Sequence, residues 1–183
     1  FDKKNLKYLC TNLRNFNYYF ISSGSTGKKI RSLGFKCQDI SKITKSKEMF
    51  EGRVKTLNQL IYSSLLYVRD NKNHEKQFRL LGIPEIDIVV VNLYPFKKYL
   101  NKKNNYEKIE MIDIGGPSLL RAAAKNFKYI TPLAEIIDYK KIINNLKKNN
   151  GETDISFRKQ MAVKVFKKTS EYDKIIFKWL DEQ

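Results

Sequence analysis

A chain of 183 residues, 42% of them hydrophobic, is long enough to bury a sizeable core, and one globular α/β unit is expected. Two cysteines (Cys10 and Cys37) and one histidine (His74) exclude a disulfide framework and a zinc-ligand set, which points to a reducing, cytoplasmic setting. The formal charge of +17 suggests a polyanion, but lysine dominates the excess and Asn, Ile, Tyr and Phe are abundant too, as in an adenine- and thymine-rich coding sequence.

No RNA-recognition aromatic motif or helix-turn-helix spacing accompanies the charge, so nucleic acid is not the expected partner. The opening residues lack the pattern of a signal peptide, and no apolar run approaches membrane-spanning length. A soluble protein without a membrane partner is expected.

In chain order, Leu6, Leu9, Cys10 and Leu13 have the spacing of an amphipathic helix over Asn5 to Phe16. Tyr18 to Ile21 reads as a strand, Ser22 to Thr26 as a turn, Lys28 to Leu33 as a short helix capped by Gly34, and Phe35 to Ile40 as the next strand. This order implies parallel strands joined by crossover helices. Ile88 to Val91 is a continuous apolar run, as in a strand covered on both faces, and Pro95 closes its segment.

Asn101 to Glu107 is polar enough for a surface loop. A helix is expected to begin around Pro117 and end at Asn126, followed by a strand over Tyr129 to Leu133 and a helix over Asp138 to Lys148. Lys147 to Thr153 reads as a loop. Phe157, Met161 and Val165, then Tyr172, Ile175, Ile176 and Trp179, predict two closing helices. The chain opens on a helix, so a doubly wound sheet would lack its first strand.

Four segments carry residue types suited to chemistry. Ser22-Ser23-Gly24-Ser25-Thr26, between a strand and a helix, offers amides and hydroxyls for a phosphate, though an ordinary serine-rich turn reads the same way. Lys3 could add charge there, or be a solvated lysine. Arg53 and Lys55, in Gly52 to Thr56, lie two residues apart and in an extended segment share one side, as a grip on a charged ligand or as an exposed loop.

Asn92 to Pro95 follows the apolar strand, at the edge where open α/β sheets bind ligands, so Tyr94 is either a donor or a boundary aromatic. Asp113-Ile114-Gly115-Gly116-Pro117-Ser118 pairs glycines with a helix start, a possible oxyanion hole. Further along, Ser118, Arg121 and Lys125 share a face, which is usually a solvated one.

Together, GRVKT at 52–56, VVVNLYPF at 89–96, IDIGGPSLLRAAAKN at 112–126 and AVKVFKKTSEYD at 162–173 resemble, in order and separation, the inosine monophosphate (IMP) cyclohydrolase domain of the bifunctional purine-biosynthesis enzymes. DKKNL at 2–6 and SSGST at 22–26 are similar to two further elements of that domain, so the likeness covers nearly all of residues 1–183.

The resemblance implies a methylglyoxal-synthase-like α/β fold, a mostly parallel sheet flanked by helices, and a homodimer. It also implies closure of 5-formamidoimidazole-4-carboxamide ribonucleotide to IMP and water, without a cofactor or metal. A formyltransferase domain, which follows in the family, is not in this chain, and the chain is expected to be an excerpt of a longer protein.

Carried over by position, Lys125 resembles the family's proton donor and acceptor, with Asp113 as its partner, Lys55 at the oxyanion and Tyr94 near the reacting centre. Arg121 would help lower the lysine's pKa. Lys3, Ser23, Gly24, Ser25, Thr26, Arg53, Thr56, Asn92, Ile114, Gly115 and Gly116 match positions that bind the nucleotide or surround the reacting groups.

The sequence departs from the family where two histidine elements follow the lysine, having instead Asn58, Gln59 and Leu60 through Ser64, and where the phosphate turn reads Gly24-Ser25 rather than a glycine pair. The competing readings are a methylglyoxal-synthase-type domain and a degenerate, non-catalytic nucleotide-binding or dimerisation domain.

Overall fold

The computed structural model describes residues 2–46, 49, 50, 53–101 and 104–183. Gly52 of the basic segment, Phe1 and part of the polar stretch after Asn101 lie outside them. Helix α1 (Leu6–Asn15) buries Leu6, Leu9, Cys10 and Leu13 along one face, as the spacing predicts. The chain then turns through Asn17, whose φ is +62°, and the Tyr18 amide donates to Leu13 O. Tyr18 is therefore still part of the helix exit, and strand β1 is shorter than the sequence suggests, Phe20–Ser22.

Helix α2 (Gly24–Ser32) starts four residues before Lys28, because Ser23 is extended and acts as its cap residue. It ends as the sequence indicates. Gly34 takes φ +88°, with its amide donating to Arg31 O and that of Phe35 to Ile30 O, the paired bonds of a Schellman turn. Strand β2 (Cys37–Asp39) pairs in parallel with β1, Ile21 opposite Gln38.

Between residues 40 and 87 the structure holds three helices that the sequence reading did not place: α3 (Ile40–Thr44), α4 (Gln59–Leu66) and α5 (Lys72–Leu81). Each begins at a side-chain cap, Asp39 accepting from Ser41 N, Asn58 from Leu60 N, and Asn71 from the amides of Asn73 and His74. His74 then accepts from Val68 N through Nδ1 at 3.1 Å, which makes it a structural residue of this corner.

Strand β3 (Ile88–Val90) pairs in parallel with β4 (Thr131–Leu133), so the described strands form two two-stranded parallel sheets rather than one. Pro132 sits in β4, where Thr131 and Leu133 face β3 and proline's missing N–H falls on the outer edge. Helix α6 (Phe96–Tyr99) follows Pro95. The stretch expected as a loop contains α7 (Asn105–Glu110), which Asn104 caps by accepting from Glu107 N.

Helix α8 (Gly115–Lys125) begins at the glycines, two residues before Pro117, and α9 (Asp138–Lys148) has the limits read from its pattern, so the loop expected from Lys147 starts after Lys148. The two expected closing helices are one, α10 (Ile155–Asp181). Val165 and Tyr172 are two turns apart on a continuous face, and the position between them is filled by Thr169, fully buried with its hydroxyl donated to Phe166 O.

Helices α4, α8 and α10 pack Leu65, Leu120, Ala123 and Val165 against Val89 of β3. A second cluster joins α1 to α9 through Leu9, Leu13, Ile142, Ile143 and Leu146. Among the described residues no helix is long and apolar enough to cross a membrane.

Candidate functional site

Residues of β1 and β3, of the start of α8 and of the loops that follow the two strands line one large cavity. Of the residues singled out from the sequence, Lys3, Ser23, Gly24, Ser25, Thr26, Arg53, Lys55, Thr56, Asn92, Tyr94, Asp113, Ile114, Gly115 and Gly116 all line it. Arg121 and Lys125 do not. Both are exposed on α8, and Arg121 lies over the Phe166 ring at 5.3 Å. Lys125 is ten residues beyond Gly115, about 15 Å along the helix at 1.5 Å per residue.

The closest joint is between the basic segment and the glycine turn. A Cβ built on Gly115 would stand 2.7 Å from Thr56 Oγ1, so only glycine lets that hydroxyl come so near. A Cβ on Gly116 would stand 2.3 Å from Asp113 Oδ2 and 3.0 Å from Val91 Cγ1. The space goes to the aspartate, whose Oδ1 accepts the Gly116 amide at 2.8 Å. That bond takes the Gly116 amide away from the oxyanion hole that the glycine pair suggested. Pro117 has no N–H, so Gly115 supplies the amide donor of this helix start.

Two residues that local sequence did not mark hold the aspartate turn and the basic segment. Tyr172, from α10, accepts the Asp113 amide at 2.8 Å and donates to Met111 O at 3.3 Å. Burial raises the Tyr172 phenol, although the Asp113 amide opposes it, so it stays neutral. Glu110, at the end of α7, pairs with Arg53, which sits in a turn closed by the antiparallel bridge of Met49 and Val54. Both contacts span more than fifty residues, so no spacing rule could have found them.

At the phosphate turn, Gly24 takes φ +52°, a conformation that disfavours side chains, whereas Ser25 is not among the residues with positive φ. The single glycine therefore stands where the backbone requires one. Ser23 makes no side-chain cap bond to α2, which leaves the amides of its first turn to face a ligand. Asn92 closes the other side, donating to Asp2 O and to the Tyr139 hydroxyl, each at 2.9 Å. The arrangement offers an anion cradle on α2, a cation-lined wall at Arg53 and Lys55, and an aspartate fixed beside an amide donor.

Comparisons with known proteins identify the family. The family described as "MGS-like domain" matches residues 5–118, and "AICARFT/IMPCHase bienzyme" matches residues 123–183. The bifunctional purine biosynthesis protein PurH of Clostridium botulinum is 45% identical over 184 residues, 100% of this chain and 37% of that protein. PurH of Magnetococcus marinus is 41% identical over 98% of this chain and 34% of its own length, and that of Bradyrhizobium diazoefficiens 40% over 100% and 34%. The chain thus spans about a third of these relatives. The solved structure of ForH superposes with a TM-score of 0.82 at 25% identity, covering 98% of this chain and 93% of that one.

Proposed function

From the MGS-like domain family, to which this chain belongs, we propose that it is the part of a purine-biosynthesis enzyme that closes the second purine ring. It would convert 5-formamidoimidazole-4-carboxamide ribonucleotide to IMP. The observation that carries the reading is the convergence on one cavity of four separate segments, with Gly115 packed against Thr56 and Gly116 against Asp113.

The first turn of α2, with Lys3, binds the phosphate, and Arg53, Thr56 and Asn92 orient the rest of the nucleotide. The carboxamide nitrogen attacks the formyl carbon and loses a proton. Lys55 and the Gly115 amide stabilise the oxyanion that forms, with Tyr94 close to it. The oxygen takes up one proton from the carboxamide nitrogen and, as its bond to carbon breaks, a second from the former formamido nitrogen, which forms the ring C=N double bond while the oxygen leaves as water. Asp113, oriented by the Gly116 amide and by Tyr172 on its own amide, serves in the proton transfers.

Lys125 enters this scheme only from a second copy of the chain, because in its own chain it lies outside the cavity. The test is turnover of the formamido nucleotide by wild type, Lys55→Leu, Lys125→Leu, and a refolded mixture of the two variants. Each variant alone should lose cyclisation, and the mixture should recover about a quarter of wild-type activity, since half the dimers carry one intact site. No recovery in a mixture that forms mixed dimers would reject the role across the interface.

A second reading, a non-catalytic nucleotide-binding domain, is favoured by the stretch from Asn58 to Ser64, which holds no histidine where the family has two histidine elements and in which Asn58 caps α4 and the Ser64 hydroxyl donates to Pro84 O. Binding of IMP by the wild type without any turnover would establish it.

A further inference from the structure

Two segments of the cavity wall are joined twice. Thr56 packs against Gly115, and further back along both segments Arg53 pairs with Glu110. The second joint is side-on, with Arg53 Nε donating to Glu110 Oε2 at 3.1 Å and Nη2 donating to Oε1. Both residues line the cavity. The backbone of Arg53 is fixed as well, since its amide donates to Phe50 O at 3.0 Å beside the bridge of Met49 and Val54.

Stability does not account for this pair. Its side chains are 61% and 31% exposed, and ion pairs in such surroundings add little to a fold. Glu110 is also the last residue of α7, where a carboxylate meets the negative end of the helix dipole, and α7 buries none of its residues. The chain thus places a carboxylate against local preference, on the wall that carries Arg53 and Lys55.

Chemistry narrows what the pair can hold. A guanidinium has five donors in a rigid fork and a carboxylate about four acceptor sites, so side-on pairing uses only part of either set. The pair has no net charge, and its carboxylate repels phosphate. It suits a neutral group that donates to the carboxylate while accepting from the guanidinium, as a vicinal diol does. On the nucleotide reading of the cavity, the first turn of α2 and Lys3 take the phosphate and the turn from Asp113 to Gly115 takes the reacting ring. The sugar is bonded to both, lies between them, and carries such a diol.

We propose that Glu110 is a specificity-determining residue that, together with Arg53, reads the ribose 2′- and 3′-hydroxyls, so that the cavity selects ribonucleotides over their deoxy counterparts. The inference rests on the nucleotide reading and adds to it the group that recognises the sugar. Glu110 accepts from the diol and holds the Arg53 fork in place to donate to it. A site built to hydrogen-bond hydroxyls rejects a ligand without them, because its own polar groups are then left without partners.

The test is calorimetric binding of IMP and of 2′,3′-dideoxyinosine monophosphate, which differ only in the diol, to wild type, Glu110→Gln and Glu110→Ala. Wild type should bind IMP at least tenfold more tightly than the dideoxy nucleotide. Each variant should weaken IMP at least fivefold and leave the dideoxy affinity equal or higher, because the charge of Arg53 is no longer offset. A carboxylate that only ties α7 to the basic segment would instead weaken both nucleotides alike. That result, equal affinity of wild type for the two, or an undiminished preference in both variants would overturn the inference while the nucleotide reading stands. Failure of wild type to bind either nucleotide would remove that reading and the inference with it.

Discussion

A methyl group added at Gly116 would overlap Asp113 Oδ2, which is already committed to the Gly116 amide, and would press on Val91. Gly116→Ala is therefore expected to destabilise the fold by about 1–3 kcal/mol and to lower turnover further by displacing the carboxylate, as thermal melts and initial rates would report. At Gly24 the reason is backbone rather than space, since nothing lies within 4 Å of a Cβ there but φ is +52°. Gly24→Ala should cost about 1 kcal/mol, and Ser25→Gly should leave phosphate binding unchanged within a factor of about two; a large gain from the second change would mean that Ser25 constrains the turn. The need for glycines in these turns was legible in the sequence, because tight approach and positive φ are local demands. That Asp113 takes a glycine amide for itself, and that Tyr172 holds its backbone, was not. Those partners are brought together only by the fold.

At the level of elements, the apolar period placed α1 and α9 well but misjudged α10, where a buried Thr169 interrupts the hydrophobic stripe without interrupting the helix. The segment before α10 is joined to it by charge. Lys164 Nζ stands 2.6 Å from both Asp138 Oδ2 and Glu135 Oε2, and Lys168 Nζ stands 2.9 Å from Glu135 Oε1. Asp138 is fully buried, and Lys141 approaches its second oxygen at 3.4 Å without a hydrogen bond. Hydrogen bonds from Lys164 and then Lys168 hold the Glu135 carboxyl below the usual glutamate range, against its burial. Burial alone would lower the Lys164 ammonium, but the Asp138 and Glu135 carboxylates outweigh it and leave it raised. A lowered carboxyl stabilises the fold above its unfolded value and loses that contribution as pH falls through the folded one. Glu135→Gln should thus cost about 1 kcal/mol at neutral pH, and the gap from wild type should close as pH falls below about 4. Denaturant melts at pH 7 and pH 3 would check this; a gap of equal size at both would rule out the ionic origin.

For the whole molecule, the parallel direction of the strands was legible from the alternation of strand and helix signals. The division into two sheets was not, because which edge meets which is decided by contacts between distant segments. The charge of +17 is spread over a chain with few acidic partners, so mutual repulsion opposes compaction. Raising sodium chloride from about 0.05 to 0.5 M should therefore raise the melting temperature as screening shortens the reach of that repulsion, and a fall would mean that the ion pairs outweigh it. The family match from residue 5 ends at 118 and the next begins at 123, so the seam falls inside α8, a helix packed on α10 and β4. The Tyr172 phenol bridges this seam, gripping the backbone on either side of Ile112. The long closing helix and the loop that carries Asp113 are thus tied through a single hydroxyl, so Tyr172→Phe should loosen that loop without emptying the core.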